Sequence, residues 1–180
     1  MRKKKRSDLS GSQLEKMTSG EAPVQTASGE TPEQRAKRLA LGLLVRREHS
    51  IQEMSLKLTQ RGIPADVIHD TIESLVAGRL LSEERFVEQF VRSRISRGDG
   101  PMKIRSELAQ RGIDSARAEQ EIDDQDPDWT QLAEAQRRKR FGEEIPAEFA
   151  ERARQARFLQ GRGFGMTEIR RVLKGDVEDA

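Results

Sequence analysis

A six-residue phrase occurs three times in this chain at nearly constant spacing. It reads Leu-Thr-Gln-Arg-Gly-Ile at residues 58–63 and Leu-Ala-Gln-Arg-Gly-Ile at residues 108–113. A looser copy, Leu-Gln-Gly-Arg-Gly-Phe, occupies residues 159–164, so the copies start 50 and 51 residues apart. A fixed period of this size predicts a repeat protein. Such arrays usually present an extended surface to a partner, and a single catalytic pocket is less expected.

Each copy of the phrase predicts the end of a helix. Glycine adopts the left-handed conformation of a helix stop without a Cβ penalty, which places Gly62 just after the helix. The residue after such a glycine packs back on the last helical turn, which pairs Leu58 with Ile63 in the first copy. Capping does not require the arginine before each glycine. Any function within the phrase would therefore rest on Arg61, Arg111 and Arg162.

The composition predicts an all-α protein with a thin core. Charged residues make up 36% of the chain and aromatic residues 4%, and the mean hydropathy is −0.80. We expect three tandem three-helix repeats that form an elongated, curved array, over residues 31–81, 82–127 and 128–175. Residues 1–30 are rich in Lys, Ser and Gly and are expected to be a disordered basic tail. Residues 176–180 form an acidic C-terminal end.

Helix starts are marked by capping residues and prolines. Residues 31–34, Thr-Pro-Glu-Gln, predict a capping box, and residues 50–53, Ser-Ile-Gln-Glu, predict a second one. Ser82 is expected to cap the first helix of the second repeat, and Pro101 suits the first position of the next helix. Trp129, the only tryptophan, is expected to pack between the second and third repeats.

The residue inventory argues against catalysis, metal binding and membrane insertion. The chain has no cysteine, and neither His49 nor His69 has neighbours in sequence that resemble a ligand cluster. No phosphate-cradling glycine loop or triad-like grouping is present, so we expect no enzyme activity and no cofactor. No apolar segment approaches membrane-spanning length, and no apolar segment follows the basic residues 1–6 as a secretory signal requires. A cytoplasmic protein is therefore expected.

Basic residues cluster despite a net charge of only +2. Such clusters are often only solvated helix faces, but they also suit a partner rich in negative charge. Arg94 and Arg105 flank an apolar stripe and are expected to be partly buried and paired internally. Arg92, Arg97 and Lys103 are expected to reach a partner. The candidate contact residues are Arg61, Arg92, Arg94, Arg97, Lys103, Arg105, Arg111, Arg137, Arg138, Lys139, Arg140 and Arg162.

The middle repeat resembles a known family. Residues 80–94 read Leu-Leu-Ser-Glu-Glu-Arg-Phe-Val-Glu-Gln-Phe-Val-Arg-Ser-Arg, and residues 100–108 read Gly-Pro-Met-Lys-Ile-Arg-Ser-Glu-Leu. These segments resemble the bacterial RecX family of recombination regulators. The resemblance spans about residues 34–174 and includes all three Arg-Gly stops and Asp128-Trp129. Residues before Thr31 lie outside it.

The resemblance implies a function without catalytic residues. Members of the RecX family are tandem three-helix repeat proteins that modulate the RecA recombinase, usually as inhibitors. They bind the RecA filament on single-stranded DNA and limit ATP hydrolysis, strand exchange and the co-protease activity of the SOS response. We expect a monomer. The alternative is a DNA-binding helical repeat protein that acts without a recombinase. The basic residues that match the family pattern are Arg85, Arg92, Arg94, Lys103, Arg105 and Arg111.

Overall fold

The computed structural model describes residues 29–174, which contain nine α-helices and no strand. None of these helices is long and apolar enough to cross a membrane. The helices form three consecutive three-helix repeats, so the predicted all-α repeat fold is confirmed. The expected disordered tail and acidic C-terminal end fall outside the described residues, apart from positions 29 and 30. The helices are α1 Pro32–Leu44, α2 Ile51–Thr59, α3 Ala65–Ala77, α4 Glu83–Ser96, α5 Pro101–Ala109, α6 Ser115–Asp124, α7 Trp129–Phe141, α8 Phe149–Gly161 and α9 Met166–Lys174.

Three of the predicted helix starts are present as expected. At α1, the Thr31 hydroxyl accepts from the Gln34 backbone N–H, and the Gln34 side chain accepts from the Thr31 N–H. Ser82 caps α4 by accepting from the N–H of Arg85 at 3.3 Å. Pro101 occupies the first position of α5, where its missing N–H leaves no helical hydrogen bond unmade.

The predicted second capping box is only half formed. Ser50 caps α2 by accepting from the Glu53 N–H at 3.1 Å. The Glu53 carboxylate does not return to Ser50, because it binds Arg47 at 2.8 Å and Arg111 at 3.2 Å. The prediction of a reciprocal box is therefore wrong, since tertiary ion pairs take the acidic side chain that the local motif needs.

The three Arg-Gly phrases end helices as predicted. Gly62, Gly112 and Gly163 have φ values of +73°, +79° and +90°. In the first copy, the Ile63 N–H donates to the Leu58 carbonyl at 3.3 Å and the Gly62 N–H donates to the Thr59 carbonyl at 2.9 Å. The same two bonds close the other copies, at 3.2 and 3.0 Å in residues 108–113 and at 3.2 and 2.8 Å in residues 159–164. This pair of bonds is the Schellman ending.

Each repeat has its own apolar core. The leucine that opens each phrase, Leu58, Leu108 or Leu159, is fully buried in the core of its repeat. Trp129 is half-buried and packs against the cores of both the second and the third repeat. Its predicted position between these repeats is therefore confirmed. Because each core is small, the contacts between repeats are needed for stability.

Candidate functional site

The helix stop of the second repeat docks on the start of the middle helix in the first repeat. The Ser50 hydroxyl donates to the Arg111 carbonyl at 2.8 Å, and the Arg111 guanidinium lies 3.2 Å from Glu53 in the first turn of α2. Gly112 lies against Gln52, and a Cβ at Gly112 would come within 2.7 Å of the Gln52 Oε1. The phrase therefore joins two repeats as well as ending a helix.

The second junction repeats this arrangement. The Gly100 N–H, at the start of α5, donates to the Arg162 carbonyl at 2.7 Å, and the Met102 N–H donates to the Gly163 carbonyl at 3.1 Å. The Arg162 guanidinium lies 3.2 Å from Asp99. At both junctions, an arginine of the phrase thus pairs with an acid at the start of the preceding middle helix.

These junctions correct our view of the arginines in the phrase. We expected all three to be left free by capping, but Arg111 and Arg162 are engaged between repeats. No repeat precedes Arg61 among residues 29–174. Its guanidinium donates to the Lys57 carbonyl at 2.8 Å, its own carbonyl accepts from Arg35 at 3.2 Å, and no acidic partner lies beside it within residues 29–174.

A continuous set of basic side chains, which we term the cationic belt, crosses both junctions. Phe90 lies near its middle, with the guanidinium carbons of Arg94 and Arg111 at 4.8 and 4.7 Å from the ring centroid. Such cation–π contacts hold the two arginines in place. The belt consists of Arg47, Arg94, Arg97, Lys103, Arg111 and Arg162.

The acids within the belt do not balance its positive charge. Asp99 is almost fully buried and faces Lys103 at 2.8 Å, Arg162 at 3.2 Å and Arg94 at 3.9 Å. Glu53 and Glu107 are the other acids paired with belt residues. Five of the six belt cations thus pair with three carboxylates, and the sixth, Arg97, has no ion pair within residues 29–174. The belt therefore carries an excess of positive charge that attracts an anionic partner.

Arg97 is the belt residue most available to a partner. It is exposed, and its side chain has no ion pair within the described part of the chain. Its backbone carbonyl accepts from Arg162 at 3.4 Å, which fixes the main chain from which the free guanidinium extends. Guanidinium groups bind carboxylates and phosphates through paired hydrogen bonds.

An open cleft of about 290 Å³ lies at the junction of the first two repeats. Four belt arginines line it together with Phe90, Glu53 and Ser93. Burial alone raises the pKa of Glu53, but the hydrogen bond from Arg47 and the charges of Arg47 and Arg111 outweigh it, so the pKa lies below its usual value. Glu53 is therefore ionised at neutral pH and holds its two arginines in fixed positions. The lining arginines are Arg47, Arg94, Arg97 and Arg111.

His49 lies next to this cleft and is buried. Its Nδ1 donates to the Arg47 carbonyl at 3.0 Å, because a carbonyl oxygen can only accept. Burial, followed by the charge of Arg47, holds the pKa of His49 below its usual value. The imidazole is therefore neutral at pH 7 and supports the loop that carries Arg47.

Several sequence-predicted contact residues are placed differently from our expectation. Arg137 is 1% exposed and donates to the carbonyls of residues 142, 143 and 144 at 2.8–3.2 Å. The prediction that it faces a partner is wrong, because it organises the loop between α7 and α8. Lys103 is held by Asp99 at the second junction and is not a free cation.

The remaining candidates either pair with nearby acids or lie exposed. Arg94 lies 2.7 Å from Glu107, and Arg105 pairs with Glu119, so the predicted internal pairing of both arginines is confirmed. Arg92 is exposed and pairs with Glu88 one turn earlier. Arg138 pairs with Glu134 and Glu143, whereas Lys139 and Arg140 are exposed. Arg85, which matches the family pattern, binds Glu48 at 2.7 Å.

Two parts of the site were missed by sequence reasoning. Arg47 lies in the loop before α2 and gave no periodic signal. Phe90 fits the apolar periodicity of α4, and that pattern gives no sign that its ring also contacts two arginines. The expectation that nothing near His69 offers metal ligands is also wrong, since His69, Asp70 and Glu73 place ligand atoms within 4.8 Å of one another. All three are exposed, as is common for such side chains on a helix surface, and no second feature within residues 29–174 indicates an ion.

The fold and the cationic belt define a tandem three-helix repeat protein with excess positive charge across its two junctions. Three family models match in order along the chain: the first, second and third three-helix domains of RecX match residues 36–75, 82–121 and 126–173. The chain belongs to the RecX family.

Comparisons with individual proteins agree with this assignment. The Regulatory protein RecX of Halorhodospira halophila is 44% identical over 140 residues, which covers 78% of this chain and 87% of that protein. The Regulatory protein RecX of Pseudomonas entomophila is 41% identical over 139 residues, with coverage of 77% and 90%. The crystal structure of RecX from Lactobacillus salivarius has a TM-score of 0.67 at 20% identity and covers 79% of this chain and 95% of its own. This last comparison supports the fold.

Proposed function

We propose that this protein regulates the RecA recombinase by binding its filament on single-stranded DNA in the cytoplasm. In this proposal it inhibits RecA, limiting ATP hydrolysis, strand exchange and the co-protease activity of the SOS response. It acts by occupancy and not by catalysis. Membership of a family whose relatives are named regulatory proteins supports this role.

The excess positive charge of the cationic belt carries the proposal. A recombinase–DNA filament presents acidic protein surfaces and DNA phosphates, and guanidinium groups bind both. Most belt cations are held by Glu53, Asp99 or Glu107, so they present fixed charge with little further loss of side-chain entropy on binding. Arg97 has no such partner in the described part of the chain and has the greatest freedom to form a new contact.

Inhibition of RecA provides the test. The ATPase of RecA on single-stranded DNA is measured while the protein is titrated in, for wild type, Arg97→Glu and Arg170→Glu. Arg170 is exposed on α9, outside the belt, so its reversal controls for net charge. We expect about tenfold more Arg97→Glu protein to be needed for half-inhibition, equivalent to about 1.4 kcal/mol. Full inhibition by Arg97→Glu at the wild-type concentration would place the binding face elsewhere. If wild type itself has no effect on ATPase and strand exchange, the proposed function is wrong.

The second candidate is DNA binding without a recombinase, because the same guanidinium groups suit phosphates. Binding dominated by phosphates weakens steeply as salt rises. Under this alternative, wild type binds single-stranded DNA alone as tightly as it binds the filament, with a steep salt dependence. Under the leading proposal, affinity for the filament exceeds affinity for naked DNA at every salt concentration.

A further inference from the structure

The two internal junctions show a reusable mode of association. In each, an Arg-Gly helix stop covers the start of a middle helix, and the arginine pairs with an acid there. Three repeats contain three stops and three middle-helix starts, but two junctions use only two of each. One stop, at Arg61-Gly62 in the first repeat, and one start, at the beginning of α8 in the third repeat, are left over.

The unused stop is accessible. Arg61 is exposed and has no acidic partner within residues 29–174. A Cβ at Gly62 would meet no atom of residues 29–174 within 4 Å, whereas one at Gly112 would meet Gln52 and one at Gly163 would meet Lys103. The space that a middle-helix start fills at the other two stops is therefore open at Gly62.

The unused helix start has the complementary features. Phe149, the first residue of α8, is 84% exposed, whereas Ile51 at the same position of α2 is 36% exposed beneath the second repeat. Among the described residues, no side chain caps α8, so the donors of its first turn have no side-chain acceptor there. Glu151 is the third residue of α8, the position that Glu53 holds in α2.

Glu53 and Glu151 hold equivalent positions, and each can bind a second arginine. Glu53 binds Arg47 from its own repeat and Arg111 from the next repeat together. Glu151 binds Arg154 of its own helix at 3.2 Å. By the same arrangement, it can accept one further arginine from outside the chain.

We propose that two copies of this chain associate head to tail, with the Arg61-Gly62 stop of one copy on the α8 start of the other. Arg61 of one copy pairs with Glu151 of the second, and the contact covers Phe149. The monomer expected from the sequence is then the dilute state. Since a head-to-tail contact does not close on itself, further copies can add at either end. The contact requires no recombinase, so it stands or falls independently of the proposed function.

Sedimentation equilibrium of the full chain tests this contact directly. The weight-average mass of wild type is expected to rise above the 20.4 kDa monomer as concentration increases towards the solubility limit. Arg61→Glu and Glu151→Gln are each expected to remain monomeric where wild type associates. Arg61 is exposed and the Glu151 side chain is 43% exposed, and an unchanged helical circular dichroism signal verifies that the variants fold. Arg170→Glu serves as the charge control and is expected to associate like wild type.

Mixing the two variants provides the sharper result. The Arg61→Glu protein keeps an intact α8 start, and the Glu151→Gln protein keeps an intact stop. Their mixture can therefore form one wild-type contact per pair and is expected to give a dimer that grows no further. A wild-type protein that stays monomeric at all concentrations would overturn the proposal. Association of either single variant as strong as that of wild type, or a mixture that remains monomeric, would also overturn it.

Discussion

Alanine substitution at the three helix-stop glycines should separate capping from repeat docking. Gly62, Gly112 and Gly163 share a positive φ, so alanine at each suffers a left-handed backbone strain of about 1–2 kcal/mol. The reduced freedom of the unfolded chain offsets about 0.4–1 kcal/mol of this strain. Apart from its chain neighbours, no atom of residues 29–174 lies within 4 Å of a Cβ at Gly62, so Gly62→Ala should lower the free energy of unfolding by about 1 kcal/mol.

At Gly112 and Gly163, alanine also disturbs the contact between two repeats, which lowers the free energy of unfolding further. At Gly112 the new Cβ lies 2.7 Å from Oε1 of Gln52, a flexible side chain that can move, which adds about 0.5–1 kcal/mol. At Gly163 it lies 2.5 Å from the backbone nitrogen of Lys103, which cannot move without opening the junction. Opening sacrifices the hydrogen bonds of Gly100 and Met102 to residues 162 and 163, at about 1 kcal/mol each. Gly163→Ala should therefore lower the free energy of unfolding by about 3 kcal/mol.

Urea denaturation followed by circular dichroism measures the series, with Gly42→Ala as the control. Gly42 lies inside α1 with nothing within 4 Å of a Cβ. Alanine there should stabilise the protein by about 1 kcal/mol, because it favours the helix. Gly112→Val should cost more than Gly112→Ala, since valine adds bulk against Gln52. An equal decrease in the free energy of unfolding at all three stops would refute the idea that the phrase also joins repeats. No decrease in Gly62→Ala would refute the capping assignment.

Three further predictions concern the buried polar groups. The folded-state pKa of His49 lies below the unfolded value because of burial and Arg47, so the unfolded chain binds more protons below about pH 6.5. The free energy of unfolding should therefore fall as the pH drops below that value. Urea denaturation of His49→Gln should show a smaller fall in this free energy over the same pH range. Arg137→Met should lower the free energy of unfolding by about 2–4 kcal/mol, because three carbonyls lose their hydrogen-bond donor. A change in RecA affinity at equal concentration of folded protein would contradict the assignment of Arg137 to the loop between α7 and α8. Asp99→Asn should lower the free energy of unfolding by about 2–3 kcal/mol, since Lys103, Arg162 and Arg94 lose the negative charge between them. Added salt should restore part of the lost stability. A melting temperature equal to that of wild type would show that the cluster does not hold the second junction.

The features that the sequence could predict depend on nearby residues. The glycine stops, the Thr31 capping box and the apolar stripes follow from local chemistry and from helical or repeat periodicity. The pairing of Arg94 and Arg105 was inferred because both flank the apolar stripe of their helix. The resemblance of the middle repeat to a known family strengthened the fold assignment.

The roles of the arginines depended on contacts that no local pattern encodes. Ser50 meets Arg111 across 61 residues of sequence, and Asp99 meets Arg162 across 63. Arg137 sits within a basic run that is typical of a solvated face, yet its guanidinium is buried by a loop that follows it. A linear sequence cannot show which repeat covers which helix start, so free and engaged arginines looked alike.

The most direct measurement for the central proposal is the equilibrium affinity of wild type and Arg97→Glu for RecA filaments on single-stranded DNA, with naked single-stranded DNA as the reference. We expect wild type to bind the filament more tightly than the naked DNA, and Arg97→Glu to bind the filament about tenfold more weakly than wild type, while Arg170→Glu binds like wild type. Equal affinity of wild type for filament and naked DNA, or equal affinity of wild type and Arg97→Glu for the filament, would contradict recombinase regulation through the cationic belt.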